Sequence, residues 1–364
     1  MLKIKPRFWM LFCLTLILGL IVLITVYLLV HLKNNFDAKK IAESFKRQCQ
    51  TDKSIRCFGL LFNNFSKKHS FEQSYNVLNE LKQISPQTKV CHTLAHAIAT
   101  EEVTKNPSQW EDVFTQLPFE ECSYGYIHGI LEGKYRSDPN FKITAALIDR
   151  ICNSQVVNRK NTAGKKSCSH GFGHILIVQQ EGDVETSLNI CRKTSKEIQY
   201  HCFGGVFMEN IIKEDLAEHE IDHLPILNKE YLNTQKKYCN SFLNPEQTAC
   251  WERIAIIISP IMNSSKEDSI RYCLEAKTEV AQNECIMSVL GTIVVAELKK
   301  GEKSIDMNIC DYYESDKLYK ECIKKVETNI ILSAVEFEPI VRDFCNNLKV
   351  PYNTVCHDRA DSFQ

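Results

Sequence analysis

The segments SIRYC at 269–273 and CIMSVLGTIVVAEL at 285–298 decide the fold. In the second, Ile286, Val289, Leu290 and Ile293 recur at spacings of three and four residues. That spacing puts them on one face of an α-helix. The first segment is short, polar and ends on Cys273, and the long apolar segment begins on Cys285. The same grammar returns along the C-terminal half. CWERIAIIISPIM runs from 250 after Cys239, and CIKKVETNIILSAV runs from 322 after SIDMNIC at 304–310. VRDFC at 341–345 then precedes Cys356. The leading cysteines Cys239, Cys273, Cys310 and Cys345 are separated by 34, 37 and 35 residues. A period in that range, with two helical patterns per unit, predicts an αα-hairpin repeat. One hairpin cannot bury its apolar faces alone, so each is expected to stack on the next.

Cysteine usage supports this reading. The chain has 17 cysteines, and setting aside Cys13 leaves an even number. Neighbours pair as Cys49/Cys57, Cys152/Cys168, Cys191/Cys202, Cys239/Cys250, Cys273/Cys285, Cys310/Cys322 and Cys345/Cys356, leaving Cys91 for Cys122. No CxxC or CxxCH occurs, which argues against zinc ribbons, thioredoxin-like motifs and c-type haem. A disulfide framework is expected, and therefore an oxidising compartment. Each bond should tie the end of one short helix to the start of the next long one.

Cys13 lies in an apolar run, Phe8 to Val30, that carries no charge. Its length suits a hydrocarbon core of roughly 30 Å. Lys3, Lys5 and Arg7 precede it, so residues 1–7 are expected inside and 8–30 to act as an uncleaved transmembrane signal anchor. His31-Leu32-Lys33 offers no small-residue cleavage site. The bulk of the chain is then extracytoplasmic at the cell membrane. Residues 31–48 form a connector and first helix, 49–230 a His- and Gly-rich set of helical repeats, and 231–364 more regular αα repeats. The polar stretch 213–231 reads as a loop or capping helix. The predicted fold class is all-α, a disulfide-stapled, solenoid-like repeat behind one N-terminal membrane helix. The architecture is similar to tetratricopeptide or Sel1-like repeats, although neither consensus is present.

With 44 Lys+Arg against 45 Asp+Glu, there is no basic excess to attract nucleic acid, and no nucleic-acid partner is expected. No GxSxG, P-loop or GxGxxG motif occurs. The chemistry-bearing residues are histidines. Three cysteine-led segments read CHTLAHAIA from 91, CSYGYIHGILEG from 122 and CSHGFGHILIV from 168. On helices these give the i,i+4 pairs His92/His96, His128/Glu132 and His170/His174. The next segment, CFGGVFMEN from 202, puts Met208 at the corresponding place, with Glu209 beside it. Imidazole and carboxylate suit zinc, iron, copper or manganese, so these residues are a candidate transition-metal shell. HExxH is absent, and the carboxylates are too few for a ferritin-like di-iron site. The other reading is a structural polar ladder reused at equivalent positions.

Glycines cluster beside the histidines: Gly125, Gly129 and Gly133 at four-residue steps, then Gly171, Gly173, Gly204 and Gly205. An interior glycine costs a helix about 1 kcal/mol relative to alanine. Either close helix contact or a ligand against bare backbone would account for them. Two functions follow from the sequence. One is a scaffold or assembly factor that binds a protein or peptide partner, as helical repeats commonly do. The alternative is a transition-metal protein or metal-dependent enzyme using the His/Glu cluster.

Overall fold

The computed structural model describes residues 36–51, 55–85, 91–116, 125–138, 140–155, 162–213, 225–263, 265–299, 308–333 and 338–348, with a few single positions besides. The expected anchor at 8–30, Cys13 and most of 213–224 lie outside the described residues. All regular structure among the described residues is helical. The helices are α1 (Ala38–Gln48), α2 (Ile55–Ser66), α3 (Phe71–Ile84), α4 (His92–Lys105), α5 (Trp110–Gln116) and α6 (Gly125–Ser137). They continue as α7 (Ala145–Cys152), α8 (Thr162–Gln179), α9 (Val184–Cys191), α10 (Lys196–Ile212) and α11 (Lys229–Cys239). The last are α12 (Glu246–Ile261), α13 (Lys266–Cys273), α14 (Glu279–Lys299), α15 (Asp316–Ser333) and α16 (Glu338–Asn347).

The short helices have legible starts. Thr144, Asp183, Asn228 and Ser265 each accept a backbone N–H of the first turn of α7, α9, α11 and α13. These side chains satisfy donors that a helix N-terminus otherwise leaves open. All four of these helices end on a cysteine: Cys152, Cys191, Cys239 and Cys273. α3 begins with a capping box, in which Ser70 and Gln73 each accept the other's backbone N–H.

The long helices touch in chain order: α2 with α4, α4 with α6, α6 with α8, α8 with α10, α10 with α12, α12 with α14, and α14 with α15. Short helices lie along the flanks of this row, α9 against α8 and α10, and α13 against α12 and α14. Their shared apolar residues form one core that runs from Ala42 to Cys356.

The disulfides are Cys49–Cys57, Cys91–Cys122, Cys152–Cys168, Cys191–Cys202, Cys239–Cys250, Cys273–Cys285, Cys310–Cys322 and Cys345–Cys356. Where the sequence suggests that the second cysteine opens the long helix, α8, α10, α12, α14 and α15 in fact start four to six residues earlier. The bond therefore lands on the side of the long helix in its second turn. The polar lead-in, such as Lys196 and Glu197 ahead of Cys202, is helical because it sits on solvent and keeps good helix formers.

One segment among the described residues, Glu279–Glu297 in α14, is long and apolar enough to cross a membrane. Its Ile286, Val289, Leu290 and Val294 are fully buried against neighbouring helices. This helix and the eight disulfides are features found in membrane or secreted proteins.

Candidate functional site

The glycines set the geometry. A β-carbon at Gly125 or Gly129 would collide with the backbone carbonyls of His92 or His96, and one at Gly133 with that of Thr100. α4 and α6 therefore cross with their backbones nearly in contact. Gly173 and Gly205 play the same part between α8 and α10, against the carbonyls of Cys202 and His170. Close contact, rather than a ligand on bare backbone, accounts for these five glycines. Gly171 differs: the atom nearest its missing β-carbon is Cδ2 of the His128 side chain, at 2.7 Å. The small residue makes room for that imidazole.

Close crossing brings the histidines together. His128 lies amid the other four, with ring centroids 5.1 Å from His92, 6.4 Å from His96, 5.8 Å from His170 and 5.3 Å from His174. Each flank is tied to a buried carboxylate. His96 Nε2 stands 2.9 Å from Glu132 Oε2, and Glu132 is also ion-paired with Arg136. His174 Nδ1 stands 3.2 Å from Glu209 Oε2, and its Nε2 lies 3.1 Å from His170 Nε2. Carboxylate oxygens accept, so His174 donates from Nδ1 to Glu209. Met208 is half-buried one position before Glu209, and it is the carboxylate that meets His174.

The six candidate metal ligands thus share one patch but resolve into pairs. No group of three or more His, Cys, Asp or Glu among the described residues is placed to hold a metal ion. The transition-metal shell suggested by the sequence gains no support from this arrangement.

A second cluster, which the sequence reading missed, continues the patch onto α12, α14 and α15. Tyr200 Oη donates to Glu252 Oε2 at 2.9 Å. Glu252 is also paired with Lys325 and, at 3.2 Å, with Arg253 Nη2. Lys325 reaches Glu284 at 3.6 Å. Burial alone would raise the Glu252 carboxyl, but the Arg253 and Lys325 charges outweigh it and hold the group far below the usual range. Burial, then Glu252 and Glu284, lifts the Tyr200 phenol well above its usual range, so it remains a donor. His201 is pushed down to about 4, by burial first and then by Lys166. Burial, followed by the Arg253 charge and by His174, His128 and His201, holds His170 well below the ordinary imidazole range. Both imidazoles are therefore neutral near neutral pH.

The signal for this cluster was present. Glu252 and Arg253 interrupt the apolar run two and three residues after Cys250, and His170 stands two residues after Cys168. The two clusters meet at Gly204, where a β-carbon would lie 3.2 Å from Arg253 Nε and 3.5 Å from His170 Nδ1. The result is a polar band that crosses seven long helices in succession: α4, α6, α8, α10, α12, α14 and α15. Its edge reaches solvent at the half-buried His92, His96, His128, His170, His201 and Lys325, while Glu132, Glu209 and Glu252 lie beneath. Searches of family models, curated proteins and solved structures found no match to this chain.

Proposed function

We propose that the chain is a membrane-anchored, extracytoplasmic helical-repeat scaffold that docks a protein or peptide partner along the polar band. Phe8 to Val30 supplies the anchor, with residues 1–7 inside. The helical hairpins stack as a solenoid-like array, and a partner at a membrane complex under assembly fits the same geometry. The observation that carries the reading is the continuity of the band. Half-buried hydrogen-bonding groups recur on consecutive long helices, with the ion-paired Glu132, Glu209 and Glu252 and an apolar core beneath them. Repeat arrays present extended surfaces of this kind, and ordered polar groups give them selectivity. Disulfides at each hairpin keep the spacing of the groups fixed, which lowers the ordering cost of binding.

Site-specific photo-crosslinking in native membranes tests this. A benzophenone amino acid replaces Met208 or Arg136, both on the band, or Lys193, an exposed residue after α9. A discrete crosslinked species of the same partner mass is expected from the first two sites and not from the third. Equal labelling from all three sites, or none from the band, would remove the proposal.

A further inference from the structure

Charge is unevenly spread along the chain. The whole carries a net −1, yet residues 33–68, just after the apolar run, hold nine Lys and Arg against three Asp and Glu. Anchored chains usually keep basic flanks on the inner side of the membrane. The Cys49–Cys57 bond sets this flank on the oxidising side. Topology therefore leaves the excess unexplained.

The fold gathers these cations on the first two helices. The Phe36 ring lies 6.4 Å from those of both Phe65 and His69, and Cys49–Cys57 joins the opposite ends. α1 and α2 thus run side by side and antiparallel, with Lys39 and Lys40 at the Lys67–Lys68 end and Arg47 at the Arg56 end. All six cations are exposed. Two of them pair with carboxylates, Lys40 with Asp37 at 3.1 Å and Lys67 with Glu101 at 3.8 Å. On α2, Phe58, Phe62 and Ser66 are buried. Arg56, Leu60 and Asn64 form the outward stripe, continued by Lys67 just past the last turn. Leu60 is 58% exposed. An apolar side chain between cations is the pattern of helices that lie on a lipid interface.

The connector limits the distance to the membrane. From Val30, which ends the apolar run, to Phe36 there are six residues, spanning at most about 21 Å. The head-group layer takes about 5–8 Å of that reach. So short a tether makes contact between the hairpin and the bilayer intramolecular, at high effective concentration.

We propose that the outward side of α1 and α2 docks on the anionic head groups of the bilayer that holds the anchor. The cations meet lipid phosphates, and Leu60 reaches the acyl boundary. The proposal rests on reading 8–30 as the anchor and is independent of the polar band.

A benzophenone amino acid at Leu60 tests it, in the full chain reconstituted in lipid nanodiscs. The discs contain phosphatidylcholine alone or an equimolar mixture with phosphatidylglycerol. Leu243, 83% exposed in the turn before α12, carries the same probe as a control. Lipid adduct at Leu60 should be at least about fivefold higher in the anionic discs, the factor for roughly one cation at such a surface. Salt at about 1 M, where the Debye length is about 3 Å, should remove the difference. Arg56→Glu combined with Lys67→Glu should do the same and leave helical circular dichroism unchanged, since both side chains stand on the surface. A chain that fails to enter the discs would remove the anchor reading and this surface with it. A chain that enters, yet gives equal Leu60 adduct in both lipids or no more than at Leu243, would overturn the surface alone.

Discussion

Full reduction of the eight disulfides is expected to unfold the chain at room temperature in buffer without denaturant. The bonds close loops of 8 to 31 residues, most of them 11 or 12. In the loop-entropy model each loop of that size contributes about 3 kcal/mol. The full stability of a typical domain is only about 5–15 kcal/mol. Even if half of the nominal contribution is realised, about 12 kcal/mol, the set is comparable to the whole net stability of such a domain. The short helices explain the dependence. α7, α9 and α13 have eight residues each, well below the length at which isolated helices persist in water. Helical circular dichroism before and after reduction under non-denaturing conditions reads the effect. A reduced chain with unchanged helicity and melting temperature would refute it.

Alanine at Gly205 should destabilise the chain, whereas alanine at Gly59 should stabilise it. At Gly59 a β-carbon meets nothing within 4 Å, so helix propensity alone acts and favours alanine by about 1 kcal/mol. At Gly205 the β-carbon overlaps the His170 carbonyl and approaches Gly173, and both obstacles are backbone. Relief requires α8 and α10 to separate, which also pulls Ser169 Oγ from the Ile198 carbonyl it reaches at 2.8 Å. Overpacking of this kind costs about 1–3 kcal/mol, set against the propensity gain. Urea midpoints of the two single variants, at constant slope, measure the difference. Gly205→Ala as stable as the natural chain would mean that the close crossing is not what the glycine serves.

Much of this architecture was legible in the sequence for a simple physical reason. Cysteines that must bond within one hairpin leave a fixed spacing, and buried helix faces leave a period of three and four residues. The glycine steps at 125, 129 and 133 likewise record a helix crossing that tolerates no side chain. Helix starts were less legible. Surface lead-ins such as Lys196 and Glu197 carry no apolar period, so the sequence placed the long helices four to six residues late.

The candidate site was half legible. The i,i+4 histidine pairs located the patch, since they lie on consecutive helices that do meet. Their chemical partners were hidden because those come from other helices. Glu132 takes His96 from α4, and Glu209 on α10 takes His174 from α8. A metal shell and a set of imidazole–carboxylate pairs have the same residue composition, and only the relative rotation of the helices separates them. Glu252 and Arg253 show as a break in the apolar run, but the partners of Glu252 were hidden for the same reason. Lys325 lies 73 residues away in sequence, and nothing local ties it to Glu252.

The helix row depends on each short helix being clipped to the long helix that follows it in the chain. Peptide mapping of the unreduced chain, digested at low pH to prevent exchange, examines that directly. It should recover Cys191 linked to Cys202, Cys239 to Cys250, Cys273 to Cys285 and Cys310 to Cys322 as separate fragments. Linkage between non-neighbouring members of this set, or recovery of these cysteines as free thiols, would contradict the account.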